Sequence, residues 1–297
     1  MSKLIEMLGS EHPVIQGPVG AINDPDFVAA ICEAGGFGML ALGFMPTVDD
    51  AKRLIDAVKD KTDRPFGANL MIINPLNDKI IPFLADAGVK TVTTSVGSPA
   101  KIYPLIHDHG MKGLHVVLSL KHAVRAVEAG ADGLVLAGSE AGGLRSTGSE
   151  SSTLVLVPLV ADSVSVPIVA AGGIADSRGY RAALALGAQG VQLGTRLLAS
   201  VESPVHEKWK EQILNCTDGG TDLLPVDNMM MRAIITPELK ERIESPGFDM
   251  KKEFQLKNAS KAWNSAEFDL VPAGAGQAAA LITEIKTVKE IISEMIS

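Results

Sequence analysis

Cysteine is nearly absent from this chain, and that scarcity excludes the chemistries that need grouped thiols. Cys32 lies in an apolar helical stretch and Cys216 far downstream, with no Cys-x-x-Cys spacing and no histidine at metal-ligand intervals. Neither a disulfide framework nor a zinc site is expected, and no metal is assigned. Positive charge is also short: 27 Lys and Arg stand against 35 Asp and Glu, a net charge of −8. A nucleic-acid backbone would meet repulsion, so nucleic acid is not an expected partner. Long apolar runs are missing too. The longest, Leu154 to Ala161, has eight residues and contains Pro158, far short of the ~20 that a bilayer span needs. The stretch Met1-Ser2-Lys3-Leu4-Ile5-Glu6 carries an early acid, and Glu11-His12 arrives before any apolar segment of signal-peptide length. The expectation is a cytoplasmic protein with no membrane partner.

What the chain has is a recurring phrase in which an amphipathic helix ends in glycine and a β-rich run follows. Its copies end at Gly35-Gly36, Gly88, Gly110, Gly130 and Gly187, leading into Phe37-Leu40, Val89-Thr94, Leu114-Leu118, Leu134-Leu136 and Val191-Leu193. Glycine fits there because a helix often closes on a left-handed residue, where a Cβ would clash. The following apolar runs suit parallel strands buried on both faces. Pro13-Gln16, Phe66-Met71 and Pro167-Ala170 add three strands after proline or loop signals, making eight. Eight strand-helix units in 297 residues point to a (β/α)8 TIM-type barrel, usually ~250 residues; the alternative is a doubly wound open sheet. Proline and charge interrupt the rhythm over 203–274, which reads as an insertion or lid after the eighth strand. The barrel is then 1–202 and 275–297, closed by an amphipathic helix from about Gly276, with Leu281, Ile282, Ile285, Val288, Ile291, Ile292 and Met295 on one face.

In such a barrel, ligands sit at the C-terminal strand ends, and the loops after strands 7 and 8 commonly hold phosphate. Here those loops are Ala171-Gly172-Gly173 and Gly194-Thr195-Arg196. Bare glycines let backbone N–H groups approach phosphate oxygens, although a turn alone also uses glycine. Arg196 supplies a charge there or is a surface or salt-bridged residue. Gly17-Pro18-Val19-Gly20, after the first strand, is either a close pass beneath a planar ring or a simple turn. Asn69, ending the third strand, offers donor and acceptor to a flavin's pyrimidine edge, or is a buried amide satisfied by its neighbours.

Taken together, His12-Pro13-Val14-Ile15-Gln16-Gly17-Pro18, Arg64-Pro65-Phe66-Gly67-Ala68-Asn69, Gly138-Ser139-Glu140-Ala141-Gly142-Gly143, Ala171-Gly172-Gly173-Ile174-Ala175-Asp176, Gly187 to Arg196 and Gly274-Ala275-Gly276-Gln277 resemble the nitronate monooxygenase (2-nitropropane dioxygenase) family, which includes flavin-dependent enoyl-acyl-carrier-protein reductases. The resemblance implies an FMN-binding barrel. Gly17, Pro18, Val19, Asn69, Glu140, Gly142, Gly143 and Gln192 would contact the cofactor, and Gly172, Gly173, Gly194 and Thr195 its phosphate. It further implies a small-molecule substrate stacked on the flavin, NADH or NADPH as a transient donor, and a monomer or homodimer.

One departure bears on the reaction. Where the family carries a catalytic histidine after Glu-Ala-Gly-Gly, this chain reads Glu140-Ala141-Gly142-Gly143-Leu144-Arg145, and leucine moves no proton. Three readings remain open: an FMN-dependent oxidoreductase acting like nitronate monooxygenase without a base, or with one from Glu140, Arg145 or Ser146; an NAD(P)H-dependent reductase of enoyl thioesters or quinones; and a flavin-binding protein that has lost the reaction. Arg145 would bind an anionic substrate or stabilise developing negative charge, or is a solvent-exposed loop residue. The polar stretch 146–153 is a connector or a closing lid. His12 and His115 are expected to be structural, and Met229 to Met231 receive no role.

Overall fold

The computed structural model describes residues 2–20, 22–148 and 150–297; Met1 and Ser149, which enter the readings above, lie outside these. The strands are β1 (Val14–Gln16), β2 (Met39–Ala41), β3 (Gly67–Met71), β4 (Thr91–Ser95), β5 (Lys112–Val117), β6 (Gly133–Ala137), β7 (Gly143–Arg145), β8 (Ile168–Ala171), β9 (Gly190–Leu193), β10 (Thr221–Val226) and β11 (Met229–Ile234). The helices are α1 (Lys3–Leu8), α2 (Pro25–Glu33), α3 (Val48–Lys59), α4 (Asn77–Asp86), α5 (Ile102–Asp108), α6 (Leu120–Glu128), α7 (Thr153–Ala161), α8 (Ser177–Ala185), α9 (Thr195–Leu198), α10 (Glu207–Leu214), α11 (Pro237–Glu244), α12 (Met250–Glu253), α13 (Ala259–Asn264) and α14 (Val288–Met295).

The main sheet runs β1-β9-β8-β6-β5-β4-β3-β2. Its ends meet through Phe37, whose N–H donates to Val14 O at 2.9 Å and whose carbonyl accepts from Gln16 N at 3.0 Å, so eight parallel strands form a (β/α)8 barrel. The two-residue period of a strand divides each one: Ile15, Met39, Leu114, Val135 and Val169 fill the barrel, while Leu40, Leu70, Val92, Leu134 and Val191 face the helices. In each of the five recurring phrases the helix closes on a left-handed glycine, with φ between 71° at Gly110 and 103° at Gly187.

Helix α1 stoppers the N-terminal end of the barrel. Leu4 and Leu8 join the interior cluster, and Thr91 Oγ1 donates to Met7 O at 2.5 Å. Ligand access is therefore confined to the opposite end, where the strands finish. The C-terminal helix begins later than the expected Gly276. Gln277–Leu281 is a 3₁₀ turn, Lys286 bridges to Ser200, and α14 starts only at Val288, after a capping box between Thr287 and Glu290. That reciprocal pair satisfies N–H groups which would otherwise lack acceptors at the helix start.

Between Ser203 and Gly274, helices α10–α13 and the β10–β11 hairpin build a second core around Trp209, Met231, Phe254 and Trp263. Strand β11 also pairs antiparallel with β7, placing Met231 opposite Leu144 and Met230 opposite Arg145. Pro225 is tolerated because β10 is the edge of this three-stranded sheet. No helix among the described residues is long and apolar enough to cross a membrane.

Candidate active site

A cavity of about 220 Å³, open to solvent, lies over the C-terminal strand ends. It is bordered by Gly17, Pro18, Val19, Asn69, Glu140, Gly142, Gly143, Gly172, Gly173, Gln192, Gly194 and Thr195, and roofed from the other side by Leu144, Met231, Trp209, Leu256 and Trp263. The fold thus brings the four glycine-bearing segments of the barrel and the second core to one space.

The glycines differ in what they allow. At Gly172, φ is 104° and a Cβ would stand 2.8 Å from Ala141 N, so only glycine permits this loop to press on its neighbour. At Gly194 a Cβ would meet nothing within 4 Å. The N–H groups of Gly172, Gly173 and Gly194 have no backbone acceptor among the described residues. Thr195 Oγ1 accepts from Gly276 N at 2.9 Å, which leaves its hydroxyl proton available. Arg196 turns away: its Nη2 donates to Ala199 O at 2.6 Å and Glu284 O at 2.9 Å, outside this cavity.

Asn69 is buried and engaged at both ends, donating to Thr93 Oγ1 at 2.9 Å and accepting from Ser95 Oγ at 3.3 Å. Gln192 is the opposite case, since its Oε1 is buried without a partner among the described residues. Among the described residues, Glu140 and Arg145 are the only ionisable ones bordering the cavity. Both carboxylate oxygens of Glu140 accept from Thr153 N, at 3.1 and 2.8 Å, and one also accepts from Thr153 Oγ1 at 3.1 Å. The carboxylate thereby caps α7.

Arg145, expected to meet an anionic substrate, has its guanidinium committed inside the protein. Nε and Nη2 donate to Glu150 Oε2 at 2.9 and 2.5 Å, and Nη2 also reaches Ala137 O and Gly138 O. Arg232 Nε holds the next carbonyl, Ser139 O, at 3.0 Å, and Gln277 N holds Glu140 O at 2.9 Å. Four consecutive carbonyls are thus gripped from three segments, and the turn from 137 to 140 is fixed. Ser146 lies off the cavity, with its Oγ donating to Glu150 Oε1 at 3.3 Å.

The family model for nitronate monooxygenase matches residues 1–81 and 76–297. The chain belongs to the nitronate monooxygenase family. A (3aS,4S,5R,7aS)-5-hydroxy-7a-methyl-1-oxo-octahydro-1H-indene-4-carboxyl-CoA dehydrogenase of Mycobacterium tuberculosis is 34% identical over 262 residues, covering 87% of this chain and 72% of the relative. A nitronate monooxygenase of Paraburkholderia phytofirmans is 31% identical over 256 residues, covering 71% and 70%. FabK from Thermotoga maritima superposes with a TM-score of 0.89 at 34% identity, over 99% of this chain and 94% of that one. Nitronate monooxygenase family members are oxidoreductases, and the cavity stands where this fold carries its chemistry.

His12 and His115 lie away from the cavity. The His115 ring packs on Tyr103 and its Nδ1 meets Thr94 Oγ1 at 2.8 Å. Burial, with a smaller contribution from His122, pushes its pKa down to about 4. The unfolded imidazole protonates near its ordinary ~6.5, so the unfolded state binds more protons between these values. The stability contribution is complete above pH 6.5 and is lost as pH falls to about 4, worth ~3 kcal/mol. Urea unfolding at pH 7 and pH 4 should show His115→Gln losing correspondingly less; equal acid losses would contradict this.

Proposed function

We propose that the cavity holds FMN and that the protein is an FMN-dependent oxidoreductase acting on a small substrate beside the flavin. The observation that carries the reading is the convergence of free glycine N–H groups from the ends of β8 and β9 on one cavity at the barrel's C-terminal mouth. The residues fit the cofactor in two further ways. The open Cβ direction at Gly194 leaves room for a phosphate, and the orphaned Gln192 Oε1 lacks the donor that a ring N–H would supply. Gly172, Gly173, Gly194 and Thr195 would bind the phosphate through backbone N–H groups and a hydroxyl, with no side-chain cation. Bound there, FMN supplies the electron-accepting and electron-donating ring; the chain orients it and excludes water.

The protein's own contribution to proton transfer is small. Glu140 and Arg145 cannot exchange a proton with a ligand without breaking the bonds that cap α7 and fix the 137–140 turn, and Leu144 has none to exchange. The turnover number is therefore expected to vary by less than about threefold between pH 6 and pH 9. Leu144→His should add a titrating limb below pH ~6.5, because an apolar roof disfavours imidazolium. A steep wild-type profile would contradict this assignment.

The second reading, a reductase of activated C=C bonds in enoyl thioesters or of quinones, draws support from the CoA-ester dehydrogenase that matches 87% of the chain. Anaerobic mixing decides between them. Bleaching of the yellow holoprotein by NADH or NADPH supports the reductase. Turnover of an alkyl nitronate with oxygen, without bleaching, supports a monooxygenase. A yellow protein inert to both is a flavin-binding protein that has lost the reaction, and a colourless protein that takes up no FMN overturns the proposal itself.

A further inference from the structure

We propose that Val96 determines specificity by narrowing the cavity at the end of β4, so that the site accepts an unbranched apolar group and turns away a branched one. This rests on the cavity being the substrate site. Val96 borders the cavity and is only half-buried when the cavity is empty, so its surface is within reach of an occupant. Its backbone is left-handed, at φ 52°. That conformation crowds Cβ against the following carbonyl oxygen, and it is hardest on a β-branched residue. Asp227 and Ala266 are the other non-glycine residues with positive φ among the described ones, and neither is β-branched or borders the cavity. Backbone strain of this kind persists where the surrounding structure over-determines it, and it gathers at ligand sites.

The neighbours of Val96 enforce the turn. Ser95, which ends β4, accepts at its carbonyl from Ile72 N at 2.8 Å and donates from Oγ to Asn69 Oδ1 at 3.3 Å. Gly97, on the other side, presses on the same segment, with φ 139° and room for a Cβ only 2.9 Å from Ile72 Cβ. The chain has to turn between these two fixed points. Glycine would make that turn freely; valine makes it at a cost and supplies bulk. Successive strand residues face opposite ways, so a straight continuation of β4 would give the cavity Ser95 and withdraw Val96. The left-handed turn lets both border it. Met71, ending β3, and Val116 and Leu118, at the end of β5, complete an apolar wall with Val96. In the sheet order β9-β8-β6-β5-β4, β4 lies four places from β9. The wall therefore stands across the barrel from the Gly194 segment, away from the loops proposed to hold phosphate.

The test uses the FMN-loaded protein and two isomers of one formula, n-butylbenzene and tert-butylbenzene, which differ only in branching. Equilibrium dialysis should show wild type binding the straight isomer about tenfold more tightly, the factor that forcing an extra branch into filled space commonly produces. Val96→Ala and Val96→Gly should each erase that preference by strengthening the branched isomer, with the straight one nearly unchanged. Melting reads the backbone itself: the glycine variant should melt about 2 °C above the alanine variant, the reverse of their order at an ordinary position. Wild type without the preference, variants that keep it, or a glycine variant melting below the alanine one overturns the inference. The flavin spectrum of each sample reports separately on the cofactor: yellow protein without the preference fails only the assignment of Val96, whereas colourless protein fails the reading beneath it.

Discussion

Gly194→Leu is expected to fold as the parent does and to bind FMN at least about 100-fold more weakly, a loss of ~2.7 kcal/mol. Two observations separate folding from binding here. The backbone at Gly194 has φ −102°, outside the left-handed region, and a Cβ would meet no atom within 4 Å, so the empty protein accommodates the side chain. Once cofactor occupies the cavity, the same side chain competes with it for space and keeps its phosphate from the backbone N–H. Calorimetric titration with FMN, alongside melting of both apoproteins, checks both halves. Undiminished affinity would place the phosphate elsewhere.

Glu150→Gln carries the largest expected cost in stability, about 3–5 kcal/mol. The Arg145 and Glu150 side chains are only 2% and 5% exposed, so removing the carboxylate charge strands a buried guanidinium. Replacing both partners with apolar residues, as in Arg145→Met with Glu150→Leu, should recover most of that loss, since a buried ion pair adds little beyond what good packing provides. FMN affinity should not recover with it. Arg145 also holds Ala137 O and Gly138 O, and the turn they belong to borders the cavity proposed for FMN at Ala137 and Glu140. Urea unfolding and flavin titration of the three variants measure the two effects. A double variant that recovers stability and full FMN affinity would deny Arg145 a positioning role.

The barrel was legible because its strands are buried on both faces and its helices close on glycine, signals that are local in sequence. Five strand positions follow from the helix-glycine phrase, and the other three from proline or loop signals before an apolar run. The second core was less so. Pro225 and the run Met229 to Met231 obscure a hairpin whose partner, β7, is three residues long and lies more than eighty residues upstream. The Thr287-x-x-Glu290 capping box was a readable mark of where α14 starts, and the apolar periodicity from Leu281 onward hid it.

Within the site, the glycine segments could be placed from the chain because their neighbours are adjacent strand ends. The fates of Arg145 and Arg196 could not, since each depends on carbonyls and carboxylates that tertiary folding alone brings near.

The chain's only two tryptophans, Trp209 and Trp263, both border the cavity, so tryptophan fluorescence is a direct reporter of its occupant. Titrating FMN into protein stripped of cofactor should quench that emission to a sharp endpoint at one flavin per chain, with Gly194→Leu showing no such endpoint. Emission that stays constant while no flavin is retained would contradict the account.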